Sequence, residues 1–154
     1  MGKAGILDGD KGDIMVPTAH IFEGTLDNYV FDNQLKVDHF QGCGIKVVEG
    51  PMITVLGTSL QNKNILQYFH DSTWNVVGLE MEGAHYQKAI QSASRVRKSI
   101  SKDVKVRYGY YATSNPLAKE ISINKDPLGS EEDEFTPSCD GIKPMYAVTE
   151  KILL

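Results

Sequence analysis

The stretch from Val76 to Gly83 constrains this chain more than any other. Val76-Val77-Gly78-Leu79 is a short apolar, β-branched run, and such runs favour strands. Glu80-Met81-Glu82-Gly83 closes it. A helical period follows at once. Tyr86, Ile90, Ala93, Val96 and Ile100 recur at helical spacing, which predicts the buried face of a long helix. Arg95, Arg97, Lys98 and Lys102 crowd its last turns, where cations complement the helix dipole. A strand that feeds directly into a helix is the repeating unit of α/β folds.

The remaining elements agree with that class. Residues 1–12, rich in Gly and Asp, read as loop. Ile14-Met15-Val16 reads as the end or edge of a strand stopped by Pro17. Tyr29, Val30 and Phe31 read as a buried patch. Residues 45–48 and 52–56 read as two short strands broken by Gly50-Pro51. Asn62 or Ser59 can cap a short helix carrying Ile65, Leu66 and Phe69. Val104, Val106, Tyr108 and Tyr110 alternate with Lys105, Arg107 and Gly109, the period of a strand, which Asn115-Pro116 ends. A polar segment with the acidic cluster Glu131-Glu132-Asp133-Glu134 reads as a solvated connection. A closing helix over residues 142–154 would bury Ala147, Val148, Ile152 and Leu153.

At 154 residues, 41% of them apolar, the chain suits one domain with a real core. A net charge of -4 gives no reason to expect nucleic-acid or membrane partners. The basic stretch of residues 95–107 straddles a helix end and a strand, so it reads as solvated surface. No secretory signal or long apolar span is present, and Cys43 and Cys139 read as reduced thiols, so a cytoplasmic location is expected. Asp38, His39 and Cys43 fit no metal signature, and no metal is expected. Gly42-Cys43-Gly44 reads as a turn, and His85 as a surface or packing residue.

In α/β sheets, ligands sit at the carboxyl ends of strands. Two such ends carry suitable chemistry: Glu80-Met81-Glu82 and Thr113-Ser114-Asn115. Carboxylates at a strand-to-helix turn can accept hydrogen bonds from a diol, and a thioether offers a soft surface beside them. The same carboxylates can equally serve the helix dipole. Asn115 can bond the edge of a base, or simply turn the chain before Pro116.

A resemblance bears on that choice. Val77-Gly78-Leu79-Glu80-Met81-Glu82-Gly83-Ala84 resembles the strand-to-helix signature of the nucleoside phosphorylases and nucleosidases. Gly2-Lys3-Ala4-Gly5-Ile6-Leu7 is similar to their Gly-Ser-Ala-Gly-Gly-Leu turn. Gly12-Asp13-Ile14-Met15-Val16-Pro17 resembles their Gly-Asp-Ile-Val-Ile-Pro segment, and Thr113-Ser114-Asn115 falls where they have Ser-Asp after a late strand. The matches keep the family's order.

The resemblance implies a three-layer α/β/α domain with a mixed central sheet. It also implies cleavage of a nucleoside C–N glycosidic bond, with phosphate as a possible co-substrate and no other cofactor. Glu82 would bind the ribose hydroxyls, Met81 would pack on the sugar, and Glu80 would brace the turn. Ala4, Gly5, Ser114 and Asn115 would face the base, and Lys3 would stand near phosphate. Asn115 occupies the position of the nucleosidases' general-acid Asp, and an amide cannot deliver a proton at neutral pH. It therefore points to phosphorolysis, with Asn115 as the catalytic contact to the base, or to no catalysis. Leu60 stands where an aromatic often stacks on the base, and Lys3 and Ile6 replace small residues. The family's earlier strands and glycine-rich phosphate loop have no counterpart here. The expectation is a single domain, residues 1–154, lacking the N-terminal portion. Its partners would be a nucleoside and either further copies of itself or a separate segment. Two functions follow: a purine nucleoside phosphorylase-like glycosyltransferase, or a non-catalytic nucleoside-binding or interaction domain derived from that fold.

Overall fold

The computed structural model describes residues 1–57, 62–118 and 149–150. The strands are β1 (Gly2–Ile6), β2 (Ile14–Phe22), β3 (Asp27–Val30), β4 (Val47–Thr54), β5 (Gly78–Glu80) and β6 (Tyr110–Ser114). Helix α1 spans Lys63–Asp71 and α2 spans Gly83–Gln91. The sheet is mixed, in the order β3-β2-β4-β5-β1-β6. Strands β2, β4 and β5 run parallel, while β1 and β6 run the other way. The first half of β2 also pairs with β6 through Ile14 and Met15. The sheet therefore closes on itself, and closure removes most of the exposed edge. β3 extends it along the second half of β2.

Strand registers sort the side chains between two faces. Inside the closed sheet lie Ala4, Ile6, Met15, Val48, Met52, Tyr110 and Ala112. The outer face carries Leu7, Ile21, Ile53 and Leu79, covered by Leu66 and Phe69 of α1. Helix α1 begins as its sequence suggests, with Asn62 accepting a hydrogen bond from the Ile65 N–H at 3.3 Å. Helix α2 packs on the opposite face, against β2, β3 and β4.

A register shift between Pro17 and Ala19 inserts an extra residue into β2. Such a bulge reverses which face the following residues occupy. It turns His20 to the same face as Met15 and sends Ile21 outward under α1. Buried Asn33 holds this irregularity. Its Nδ2 donates to the Pro17 and Tyr108 carbonyls at 3.0 and 2.9 Å, and its Oδ1 accepts from the Leu35 and Tyr108 N–H groups at 3.2 and 3.0 Å.

Several sequence expectations are corrected. Residues 2–6 form a paired strand rather than loop, because glycine suits a narrow interior as well as a turn. Pro17 and Gly50-Pro51 lie within strands β2 and β4 instead of ending them. The bulge absorbs Pro17, and a side chain at residue 50 would strike Val77. Val30 is 62% exposed, and the buried residues of that region are His20 and Ile21. The apolar stripe of the long helix faces outward, with Tyr86 67% and Val96 76% exposed. The sheet-facing side of α2 is Gly83, Ala84 and Gln87, and at Gly83 the His20 ring leaves no room for a side chain. The helix passes into a π-helical turn, Ser92–Val96, and stops before Ile100. The last strand begins at Tyr110, not at Val104. Ser59, Leu60, the acidic cluster, Cys139 and residues 142–148 and 151–154 of the expected closing helix lie outside the described residues.

The interior is filled so closely that Gly78 admits no side chain. A Cβ there would meet the Met15 Sδ, and would lie 2.8 Å from the Gly5 carbonyl oxygen. Gly78→Ala is expected to lower stability by about 2–3 kcal/mol in urea denaturation, the cost of overpacking a filled core.

Candidate functional site

The parallel strands β2, β4 and β5 end at one mouth of the closed sheet, where β1 and β6 begin. The chain then enters α2, so several backbone N–H groups at the helix start need acceptors. Glu80 supplies them. It is 4% exposed. Its Oε2 accepts from the N–H groups of Glu82, at 2.6 Å, and of Gly83, and its Oε1 accepts from the Thr54 hydroxyl. Thr54 Oγ1 in turn accepts from the Ala84 N–H at 2.8 Å. Burial raises the Glu80 pKa above its usual range, while the Thr54, Gly83 and Glu82 donors pull the other way.

Glu82 sits at the N-cap position of α2 but makes no capping hydrogen bond with its side chain. It is exposed, and among the described residues its side chain has no hydrogen bond or ion pair. Met81 beside it is 44% exposed. The two carboxylates thus divide the tasks that the sequence left open. Glu80 does the capping, and Glu82 remains free at the carboxyl end of β5.

Behind the turn lies a polar cluster that the sequence reading missed. His20 is fully buried. Its Nε2 is 3.0 Å from the Tyr110 hydroxyl, and its ring stacks on Phe31 and meets Tyr108 edge-on, with centroids 5.0 and 4.9 Å away. Burial lowers its pKa from 6.5 to about 4, so it is neutral at pH 7. Burial also raises the Tyr110 pKa, and that of Tyr108 to about 12. The available signal was His20 standing between apolar Ala19 and Ile21. Its significance depends on the bulge, which no periodicity reveals.

The other expected site residues are distributed along the sheet. Lys3 is exposed and pairs in register with Tyr111 near the mouth. Ala4 is buried opposite Ala112. Gly5 is level with Leu79 on one side and Ser114 on the other. Because β6 runs opposite to β5, Ser114 and Asn115 lie toward the far end from Met81 and Glu82. Asn115 is engaged there: its Nδ2 donates to the Gly9 carbonyl at 2.7 Å, and its Oδ1 accepts from the Leu117 and Ala118 N–H groups at 2.9 and 3.0 Å. The structure therefore brings Lys3, Met81 and Glu82 to one end, and sets Ser114 and Asn115 apart from them. Among the described residues no three His, Cys, Asp or Glu side chains gather as a metal site. No described helix is long and apolar enough to cross a membrane.

Solved structures similar to this chain include nucleosidases and nucleoside phosphorylases. The chain is similar to 5'-methylthioadenosine nucleosidase from Arabidopsis thaliana, with 11% identity and a TM-score of 0.59, covering 99% of this chain and 59% of that one. It is similar to the 5'-methylthioadenosine/S-adenosyl homocysteine nucleosidase of Campylobacter jejuni, with 15% identity and a TM-score of 0.61, covering 99% and 67%. It is similar to uridine phosphorylase from Schistosoma mansoni in complex with thymidine, with 16% identity and a TM-score of 0.60, covering 99% and 57%. The chain thus spans about three fifths of the length of these structures. At such identities the likeness establishes a nucleoside phosphorylase/nucleosidase-like fold. No curated protein matches the chain. The chain belongs to the family of unknown function DUF6909, whose model matches residues 1–154.

Two predictions follow from the site's geometry. Glu80→Gln replaces an acceptor of three donors with a group that is half donor, and is expected to cost about 2–3 kcal/mol in urea denaturation; Glu82→Gln, at an exposed and unengaged position, is expected to stay within about 0.5 kcal/mol. Neutral, buried His20 takes up its proton more readily in the unfolded chain. Stability should therefore hold above about pH 6.5 and fall as pH drops toward 4, by about 2 kcal/mol between pH 7 and pH 5 from this group. His20→Phe should flatten that part of the stability curve.

Proposed function

We propose that the chain binds a nucleoside through its ribose at the Met81–Glu82 turn and acts as a nucleoside phosphorylase-like glycosyltransferase on the N-glycosidic bond. The observation that carries this reading is the division between the two carboxylates. Glu80 satisfies the start of α2, and Glu82 is left exposed and unengaged beside Met81. An ionised carboxylate can accept hydrogen bonds from both hydroxyls of a ribose diol, and Met81 offers its thioether to the apolar edge of the sugar. The similar solved structures are two nucleosidases and a uridine phosphorylase in complex with thymidine. In the proposed reaction a phosphate oxygen forms a bond to C1′ as the C–N bond breaks. The electron pair leaves on the base nitrogen. Lys3 would attract the phosphate, and Ala4 and Gly5 would stand nearest the base, with Ser114 and Asn115 further along the sheet. A complete three-layer domain, assembled as an oligomer or with a separate segment, would bring the phosphate side together in the cytoplasm.

A second reading, nucleoside binding without bond cleavage, is favoured by Asn115, whose amide is engaged by the Gly9 carbonyl and by the N–H groups of its own turn. One experiment separates the two. The purified chain is incubated with inosine or uridine, with and without phosphate, and free base is measured. The glycosyltransferase reading expects phosphate-dependent release, reduced about a hundredfold or more by Glu82→Gln. Binding alone expects no release but a saturable rise in Tm with nucleoside that Glu82→Gln removes. No release and no rise in Tm would contradict both.

A further inference from the structure

Helix α2 leaves its apolar side uncovered. Tyr86, Ala89 and Val96 are exposed along it, and Ile90 and Ala93 are half-buried. Glu82, Tyr86, Ala89, Ala93 and Val96 follow one another in alternating steps of four and three residues. That is the spacing of a seam between two helices. The sheet does not cover this side, because Gly83, Ala84, Gln87 and Ser94 are the residues buried inward. Helix α2 and its π-helical turn are nine and five residues long, about 20 Å of continuous helix. Val30 and Val104 are exposed beside it. Gln91 Nε2 donates to the Val30 carbonyl at 3.2 Å, and Val104 lines one cleft with Ile90 and Gln91. Large apolar side chains gathered on one exposed face mark a surface that another chain covers.

The seam is its own complement. It is nearly symmetric about Ala89, so two copies of α2 laid antiparallel across a two-fold axis set Tyr86 of each beside Ala93 of the other, a large side chain against a small one. Ala89 meets its counterpart on the axis, which lets the helices approach closely. Charge selects the same direction. Glu82 stands exposed at the start of α2, and Arg95, Arg97 and Lys98 stand exposed at its end. None of the four has an ion pair among the described residues. Antiparallel packing brings each Glu82 to the partner's Arg97 and opposes the two helix dipoles. Parallel packing would set cations against cations. An acidic partner would press like charge on Glu82, and a purely apolar one would leave both ends unmatched. A stable dimer buries about 800 Å2 on each partner, more than one helix seam supplies, and Val30 and Val104 extend the patch toward that size. We propose that the chain forms a two-fold dimer through antiparallel α2 helices, with the partner's Arg97 beside Glu82. A carboxylate has two oxygens, so pairing through one leaves the other to accept from a hydroxyl.

Sedimentation velocity of the full chain, without nucleoside, tests this. The expected result is a reversible monomer–dimer equilibrium with a dissociation constant below about 100 μM. Ala89→Glu sets two like charges on the axis and should weaken the dimer by about tenfold or more. The position is exposed, so the circular dichroism and urea midpoint of that variant should match the parent. Arg97→Glu should weaken the dimer by a similar factor, and adding Glu82→Arg to it should restore most of the loss, a rescue that a folding defect would not produce. Because no nucleoside is present, the outcome is independent of whether the Glu82 turn binds a ribose. A chain that stays monomeric at about 200 μM, a dimer indifferent to both Ala89→Glu and Arg97→Glu, or a double variant no stronger than Arg97→Glu alone would overturn the proposal.

Discussion

A carboxylate buried at the start of a helix organises this protein. Glu80 stands where β5 becomes α2, with the Glu82 and Gly83 N–H groups and the Thr54 hydroxyl all donating to it. A buried carboxylate without such donors would be prohibitively costly, and a helix start without such an acceptor nearly as much so. Each resolves the other's problem. The consequence is geometric. With the helix start anchored from below, the next acidic side chain is released from structural duty and stands at the open end of the parallel strands.

A second constraint sits one strand pair away. The bulge in β2 places His20 on the Glu80 face, and Asn33 fixes that bulge by bonding to both the Pro17 carbonyl and the Tyr108 backbone. The tyrosines of the last segment then meet the histidine. Gly83 makes the arrangement possible, because a Cβ there would lie within 2.8 Å of Glu80 Oε1 and closer still to the His20 ring. A glycine at the first turn of α2 is thus a packing requirement.

The sequence made the strand-to-helix junction legible because local chemistry decides it: a β-branched run, two acids, a glycine, then a helical period. The α1 cap at Asn62 was legible for the same reason. Bracing of the turn by Glu80 was implied only by the family resemblance, and the Glu82 and Gly83 N–H groups give it that role. What escaped was long-range. Pro17 and Pro51 read as strand breakers, yet neighbouring strands and a bulge accommodate them. Residues 2–6 read as loop because glycine signals a turn unless the interior it faces is known. The helix face was chosen by apolarity, whereas the sheet selected it by size. The position of Ser114 and Asn115 relative to Glu82 depended on the direction of β6, and periodicity carries no information on strand direction.

Glu80 is the structural acceptor of the turn, and Glu82 is the proposed ligand-facing carboxylate. The most direct measurement is carboxylate 13C NMR of the glutamate side chains during titration with inosine. The account predicts a saturable shift of the Glu82 carboxyl resonance, with that of Glu80 unmoved. A Glu80 resonance that responds while Glu82 stays still, or no response from either, would contradict it.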